Sequence, residues 1–414
     1  VNLSPQIRKL KSGLKTIFLP NPGSQAVYVA VLVNTGTRDE DSSVNGVSHF
    51  IEHMVFKGTE KRKAFHILNR LDSVGGELNA YTTKEQTCYY ASVAKEHSER
   101  AIELLSDILL HSVFPEVEME KEKSVIAEEI DMYQDYPEET IVEEFEAALY
   151  PNQSIGRPIL GTRDSLQQLT RKKLVQHCSS WYQANTLAVG ICGDIPSEKA
   201  LGMIEKHFGE LTRQQAPKHI KATPVRKKFH LTSSKALQQS HVFMGHSAPS
   251  RNAPDHWALQ LLTNLLGGPA MNSRLNLSIR EKHGLVYQIS STYTSFEDTG
   301  YVGIYFSSEE KKREKVNFLI HKELNRIFKE GISKDALDKA IRQFTGNALL
   351  QQDNRQSLLH FYLREVFQPA FLPAEAYIEK IKSVTRDQIQ NCSEKYLNPD
   401  ELSRIEYFPE VSEK

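Results

Sequence analysis

Apolar residues along the first ninety positions predict strands at 15–19 and 26–33, then a helix, then two further strands at 77–82 and 87–93. The 26–33 stretch, Ala-Val-Tyr-Val-Ala-Val-Leu-Val, is almost continuously apolar, which suits a strand covered on both faces. A polar, glycine-containing loop over 34–43 follows. Asn45-Gly46 and Lys57-Gly58-Thr59 then bracket a segment of about three helical turns. Within it Phe50, Ile51, Met54, Val55 and Phe56 leave little polar circumference, so the helix is expected in the interior. A helical period over 64–74 stops at Gly75-Gly76, directly before the 77–82 strand. Further helices are expected at 96–111, 116–133, 166–182 and 197–211, with an apolar strand at 187–192.

Past residue 212 the pattern begins again. Residues 212–228 are polar, carry Pro217 and Pro224 and show neither period, which predicts a linker at 214–228 between halves 1–213 and 229–414. Thr87-Cys88-Tyr89-Tyr90-Ala91-Ser92-Val93 corresponds to Thr299-Gly300-Tyr301-Val302-Gly303-Ile304-Tyr305, 212 positions later. Cys178-Ser179-Ser180-Trp181-Tyr182 corresponds to Cys392-Ser393-Glu394-Lys395-Tyr396, 214 positions later. A nearly constant offset predicts an α+β fold of two similar α/β halves.

Composition narrows the chemistry. With 414 residues, 39% hydrophobic and 25% charged, the chain has ample material for globular cores. A formal net charge of -1 gives no general attraction to nucleic acid or anionic lipid. The basic residues of 212–228 lack interleaved aromatics, so a solvated linker accounts for them better than a nucleic-acid patch. No apolar run reaches eighteen residues, so neither a nucleic-acid nor a membrane partner is expected. The cysteines, Cys88, Cys178, Cys192 and Cys392, are far apart, which argues against a thiolate zinc site or a disulfide framework and for a reducing compartment. A bacterial-type cytoplasm fits; so does the mitochondrial matrix, should a targeting segment precede Val1.

The interior helix carries the candidate chemistry. His49 and His53 are four residues apart, one turn on the same face, with Glu52 beside them. Buried imidazoles need partners, and a metal would supply one. A third ligand is expected to be a carboxylate from the acidic 116–133 helix. With Ile126 at the centre of its apolar stripe, Glu122 and Glu129 fall within about 60° of that line, whereas Glu128 lies roughly opposite. Carboxylates on an apolar face are costly unless paired or coordinated.

His49-Phe50-Ile51-Glu52-His53, with Glu129 following inside Glu122-Lys123-Ser124-Val125-Ile126-Ala127-Glu128-Glu129-Ile130, resembles the pitrilysin/insulinase family of zinc peptidases, the inverzincins. Within that family the chain is most similar to the processing peptidase β-subunit type and its bacterial relatives. The resemblance implies that His49, His53 and Glu129 ligate one Zn2+ per chain, that Glu52 is the general base, and that Glu122 supports the ligands. Gly75-Gly76-Glu77-Leu78-Asn79-Ala80-Tyr81-Thr82 is similar to the segment leading into the family's substrate strand, which would make Asn79, Ala80 and Tyr81 substrate-binding. Arg280 and Tyr287, seven residues apart in the second half, match a pair that reaches the substrate. There a guanidinium and a phenol would donate to a peptide carbonyl or to the oxyanion formed from it.

The resemblance further implies halves that each hold a mostly antiparallel sheet packed with helices and face each other as a clamshell around a cavity. The second half, reading His256-Trp257-Ala258-Leu259-Gln260 in the equivalent helix, has no metal motif. The expected activity is zinc-dependent endopeptidase cleavage of unfolded or presequence-like peptides bound in extended conformation, by a chain that is a candidate homodimer. The competing expectation is a non-catalytic binding or structural member of the same family.

Overall fold

The computed structural model describes residues 4–213, 217–225 and 227–410; positions 214–216 and 226 of the expected linker lie outside the described residues. Two compact units emerge, each an α/β assembly around a mixed sheet.

The first unit comprises 4–132, 157–220 and 350–373. Its strands are β1 (Gln6–Lys9), β2 (Lys15–Pro20), β3 (Ala26–Val33), β4 (Glu77–Thr82), β5 (Thr87–Ala94) and β6 (Leu187–Gly193), in the order β1-β2-β6-β3-β5-β4. Only β2 and β6 pair in parallel; the other neighbours are antiparallel. Side chains alternate along β3, and Val27, Val29, Val31 and Val33 enter the main core. They meet α1 (Val47–Met54), α2 (Ala64–Asp72), α3 (Ser98–Leu110) and α4 (Glu116–Gln134) there, through Phe50, Ile51, Leu71, Leu105 and Ile126 among others. Ala30 and Leu32 are equally buried but point the opposite way, toward a helix from late in the chain, Arg355–Glu365. A Cβ on Gly190, which pairs with Ala30, would lie 2.6 Å from Leu359 of that helix. Both faces of β3 are therefore covered, which is why its sequence is continuously apolar.

The second unit comprises 133–156, 221–349 and 374–410. Strands β7 (His230–Lys235), β8 (Ser240–Ala248), β9 (Gln288–Ser295), β10 (Gly300–Ser308) and β11 (Ser403–Pro409) form a sheet in the order β7-β11-β8-β10-β9, with β7 and β11 parallel. One face sends Val242, Met244, Val302, Ile304 and Phe306 into a core with the helices His256–Gly267 and Glu310–Glu330. The other face carries Phe243, Tyr301, Tyr305 and Tyr407, against Ile141, Phe145 and Leu149 of the helix Pro137–Leu149.

The units thus differ from the sequence halves 1–213 and 229–414. The Pro137–Leu149 helix, early in the chain, covers the second sheet, and the Arg355–Glu365 helix, late in the chain, covers the first. A strand apolar on both faces needs two covers, and nothing local specifies which segment supplies the second. The single helix expected over 166–182 is also two, Arg163–Gln167 and Arg171–Trp181. Thr170 interrupts it, because its hydroxyl accepts from Lys173 N and so starts a new helix. Among the described residues no helix is long and apolar enough to cross a membrane.

Candidate active site

Helix α1 begins at Gly46, whose φ of 88° is left-handed and where a Cβ would sit 2.7 Å from Leu160 O, so only glycine fits this entry. From there Val47, Phe50, Ile51 and Met54 face the core and turn the remaining side toward α4 and β4. His49 and His53 project together, with ring centroids 4.7 Å apart. On α4, Glu122 is buried, Glu129 is half-buried and Glu128 is exposed. His49 Nε2 and His53 Nε2 lie 3.8 and 3.6 Å from Glu129 Oε2.

The ligand atoms of His49, His53 and Glu129 all lie within 4.8 Å of one another. Zinc bonds of about 2.0–2.2 Å in tetrahedral geometry separate neighbouring ligand atoms by about 3.3–3.5 Å, so the three groups need to close by a fraction of an ångström to a little over one. The electrostatics point the same way. Burial, aided by the neighbouring His53, pushes His49 down to about 3, which leaves a neutral imidazole with a lone pair to give. Nε2 is the nitrogen that faces Glu129, while Nδ1 is buried without a hydrogen-bond partner among the described residues. Burial raises the Glu129 carboxyl, with His53 opposing. Neutral histidine beside desolvated carboxylates is a donor set that a divalent cation satisfies.

Around this cluster the other groups are oriented. Glu122 Oε2 lies 3.1 Å from His53 Nδ1. A carboxylate only accepts, so Nδ1 carries the hydrogen and Nε2 presents its lone pair toward Glu129. The other Glu122 oxygen meets Lys57 Nζ at 2.5 Å. Glu122→Gln is therefore expected to keep the fold and weaken zinc affinity by roughly tenfold or more, measured by competition with a chromogenic chelator. Unchanged affinity would remove Glu122 from the site.

Glu52 is largely buried and receives a hydrogen bond from Thr82 Oγ1 at 2.5 Å. Burial raises its carboxyl; the Thr82 hydroxyl and His53 pull it down, and Glu129 pushes it up. It is not a member of the triad of candidate ligands.

Thr82 ends β4, the edge strand of its sheet. Asn79 and Tyr81 oppose Tyr90 and Cys88 of β5. Ala80 N bonds instead to the side-chain Oδ1 of Asn79 at 2.8 Å, so an incoming strand would displace that side chain. The Tyr81 phenol is shared between the Cys88 thiol and the Arg364 guanidinium, and burial first of all pushes it far above its usual range. Tyr81 is thus tied to the strand's other face.

Arg280 and Tyr287 lie in the second unit, apart from the units' own cores. Arg280 sits near the end of a π-helical segment, Asn276–Glu281, and Tyr287, directly before β9, is 79% exposed. Sequence reasoning missed Thr82 as the partner of Glu52 and Lys57 as the partner of Glu122. Both depend on which strand and which turn abut the helix, for which no sequence period exists. It also missed Glu40, whose buried carboxylate accepts from Gly46 N and Ser48 N at the start of α1.

The insulinase (Peptidase family M16) profile matches residues 15–163, and that of the Peptidase M16 inactive domain matches residues 168–344. A protein named an uncharacterized zinc protease in Bacillus subtilis is 35% identical over 351 residues, covering 84% of each chain. One of the same description in Mycobacterium leprae is 32% identical over 394 residues, covering 94% of this chain and 88% of the other. Among solved structures, a protease from Helicobacter pylori aligns with a TM-score of 0.89 at 21% identity, over 98% of this chain and 100% of that one. A peptidase M16 inactive domain from Pseudomonas fluorescens aligns at 0.85 and 19% identity, over 100% and 99%. These structural likenesses carry the fold, two similar α/β halves, and the sequence relatives carry the descent: the chain belongs to the insulinase family of peptidases, family M16.

Proposed function

We propose that this protein is a zinc-dependent endopeptidase acting on unfolded or presequence-like peptides, with one zinc per chain held by His49, His53 and Glu129. The observation that carries the reading is the triad with Glu52 next to it, held by Thr82 and outside the ligand set. Bound zinc would supply Lewis-acid polarisation of the attacking water and of the scissile carbonyl. Glu52 takes the proton of that water and passes it to the leaving amine. The peptide adds as a strand to the open edge of β4, drawing on backbone groups near Ala80 after the Asn79 side chain moves aside. A chamber that excludes folded proteins would restrict substrates to extended chains.

Arg280 and Tyr287 join the site in this reading, as substrate-holding and oxyanion-donating groups. Their exposure supports it, since neither is committed to its own core. Tyr287→Phe is expected to lower turnover by roughly ten- to a thousandfold with zinc retained, while Arg280→Ala acts chiefly through KM. Steady-state kinetics on one peptide separate the two; wild-type constants in both would make them ordinary surface residues.

The primary test is a quenched fluorescent peptide library incubated with zinc-loaded protein, with and without chelator. Cleavage that chelator abolishes and zinc restores is expected. A zinc-loaded protein that cleaves no peptide would support the non-catalytic alternative.

A further inference from the structure

We infer that Glu40 is a positioning residue for the metal site: its carboxylate anchors the N-terminus of α1 and registers that helix against the β4–β5 hairpin. A helix leaves its first backbone N–H groups without intrahelical partners, and an N-cap side chain usually satisfies one of them. The residue in that position here is Gly46, which has no side chain to offer. Glu40, 1% exposed, takes over from outside the helix. Its Oε2 accepts from Gly46 N at 2.7 Å and from Asn45 Nδ2 at 3.3 Å, and its Oε1 accepts from Ser48 N at 2.8 Å. Ser48 directly precedes His49. A negative group here also complements the positive end of the helix dipole.

The loop bearing Glu40 is fastened to the hairpin. Thr37 N donates to Thr83 O at 3.2 Å and Arg38 N to Lys84 O at 2.8 Å. Arg38 also pairs with Glu85 at 2.6 Å through a nearly fully buried guanidinium. Arg157 Nη1 donates to Glu40 O at 3.2 Å, and Lys84 Nζ to Arg157 O at 2.6 Å. From the hairpin the connection returns to the helix through Thr82 and Glu52. The result is a closed circuit: Glu40 to the start of α1, α1 to Glu52, Glu52 to Thr82 on β4, and the hairpin turn back to the Glu40 loop. Such a circuit holds His49, Glu52 and the edge strand in one register, which a site using both metal ligands and strand pairing requires.

The functional half of this inference rests on the zinc-peptidase reading, whereas the anchoring is measurable without metal. Glu40→Gln offers one acceptor oxygen and sets an NH2 group against a backbone N–H. Working at pH 8 keeps the wild-type carboxylate charged, since burial pushes its carboxyl up to about 7 against the pull of its hydrogen bonds. In metal-free protein, hydrogen exchange of residues 47–54 should accelerate about tenfold, as for a lost helix cap, while 98–110 is unchanged. Zinc affinity should fall by about the same factor, and the visible absorption of the cobalt-substituted protein should shift. Glu40→Asp keeps the charge with a shorter reach, should fall between the two, and serves if the glutamine variant does not fold. Unchanged exchange over 47–54, or faster exchange with wild-type zinc affinity and cobalt spectrum, would overturn the positioning role alone. A wild-type protein that takes up no zinc would remove the peptidase reading, and the positioning role with it.

Discussion

Glu52→Gln protein is expected to retain its zinc, its fold and its affinity for peptide while turning over at least about a hundredfold more slowly, the loss typical of a missing general base. The geometry behind this is specific. Glu52 sits one residue before His53 but turns to Thr82 on β4, whereas the three ligand atoms gather without it. Glutamine is nearly isosteric and can still accept from the Thr82 hydroxyl, so the hydrogen bond and the strand position should survive. What it cannot do is accept a proton from water or return one to an amine. Single-turnover assays with metal content measured on the same samples decide the matter. Wild-type turnover by this variant would sink the assignment of Glu52.

The second large effect is on the metal. His49→Ala, His53→Ala and Glu129→Gln should each weaken zinc binding by about two orders of magnitude or more, since the binding free energy is shared among few ligands. Elemental analysis after dialysis against a weak chelator reads this directly. Among the three, Glu129→Gln should lose least, because its amide oxygen remains a weak ligand. Full zinc content in that variant would move the third ligand elsewhere. His49 is the most buried of the three and already neutral through desolvation, so its removal also opens a void beside His53 and Glu129. A loss of about 1–3 kcal/mol in unfolding free energy is expected there, and a smaller one at Glu129.

Much of this molecule was legible in its sequence because the relevant rules are periodic. The 3.6-residue period puts His49, Glu52 and His53 on one surface and sorts Glu122 and Glu129 from Glu128 on the acidic helix; the folded chain has Glu122 buried, Glu129 facing the histidines and Glu128 in solvent. The two-residue period and apolar runs mark β3 and β6, and the repeat of 212 to 214 positions marks two similar α/β halves.

Other features were decided only by tertiary contact. Which helix covers the second face of each sheet is one: Pro137–Leu149 and Arg355–Glu365 cross to units their sequence positions do not suggest. Any amphipathic helix of suitable length would satisfy an apolar sheet face equally well from sequence, and only the folded chain shows Leu359 seated over Gly190 and Phe145 over Phe243. The supports of the site are another. Lys57 on Glu122, Thr82 on Glu52 and Glu40 under Gly46 and Ser48 join segments separated by 65, 30 and 6 to 8 residues. Hydrogen bonds are short-ranged and directional, so their partners exist only after the chain has brought those segments to within about 3 Å, and no spacing in the sequence encodes that meeting.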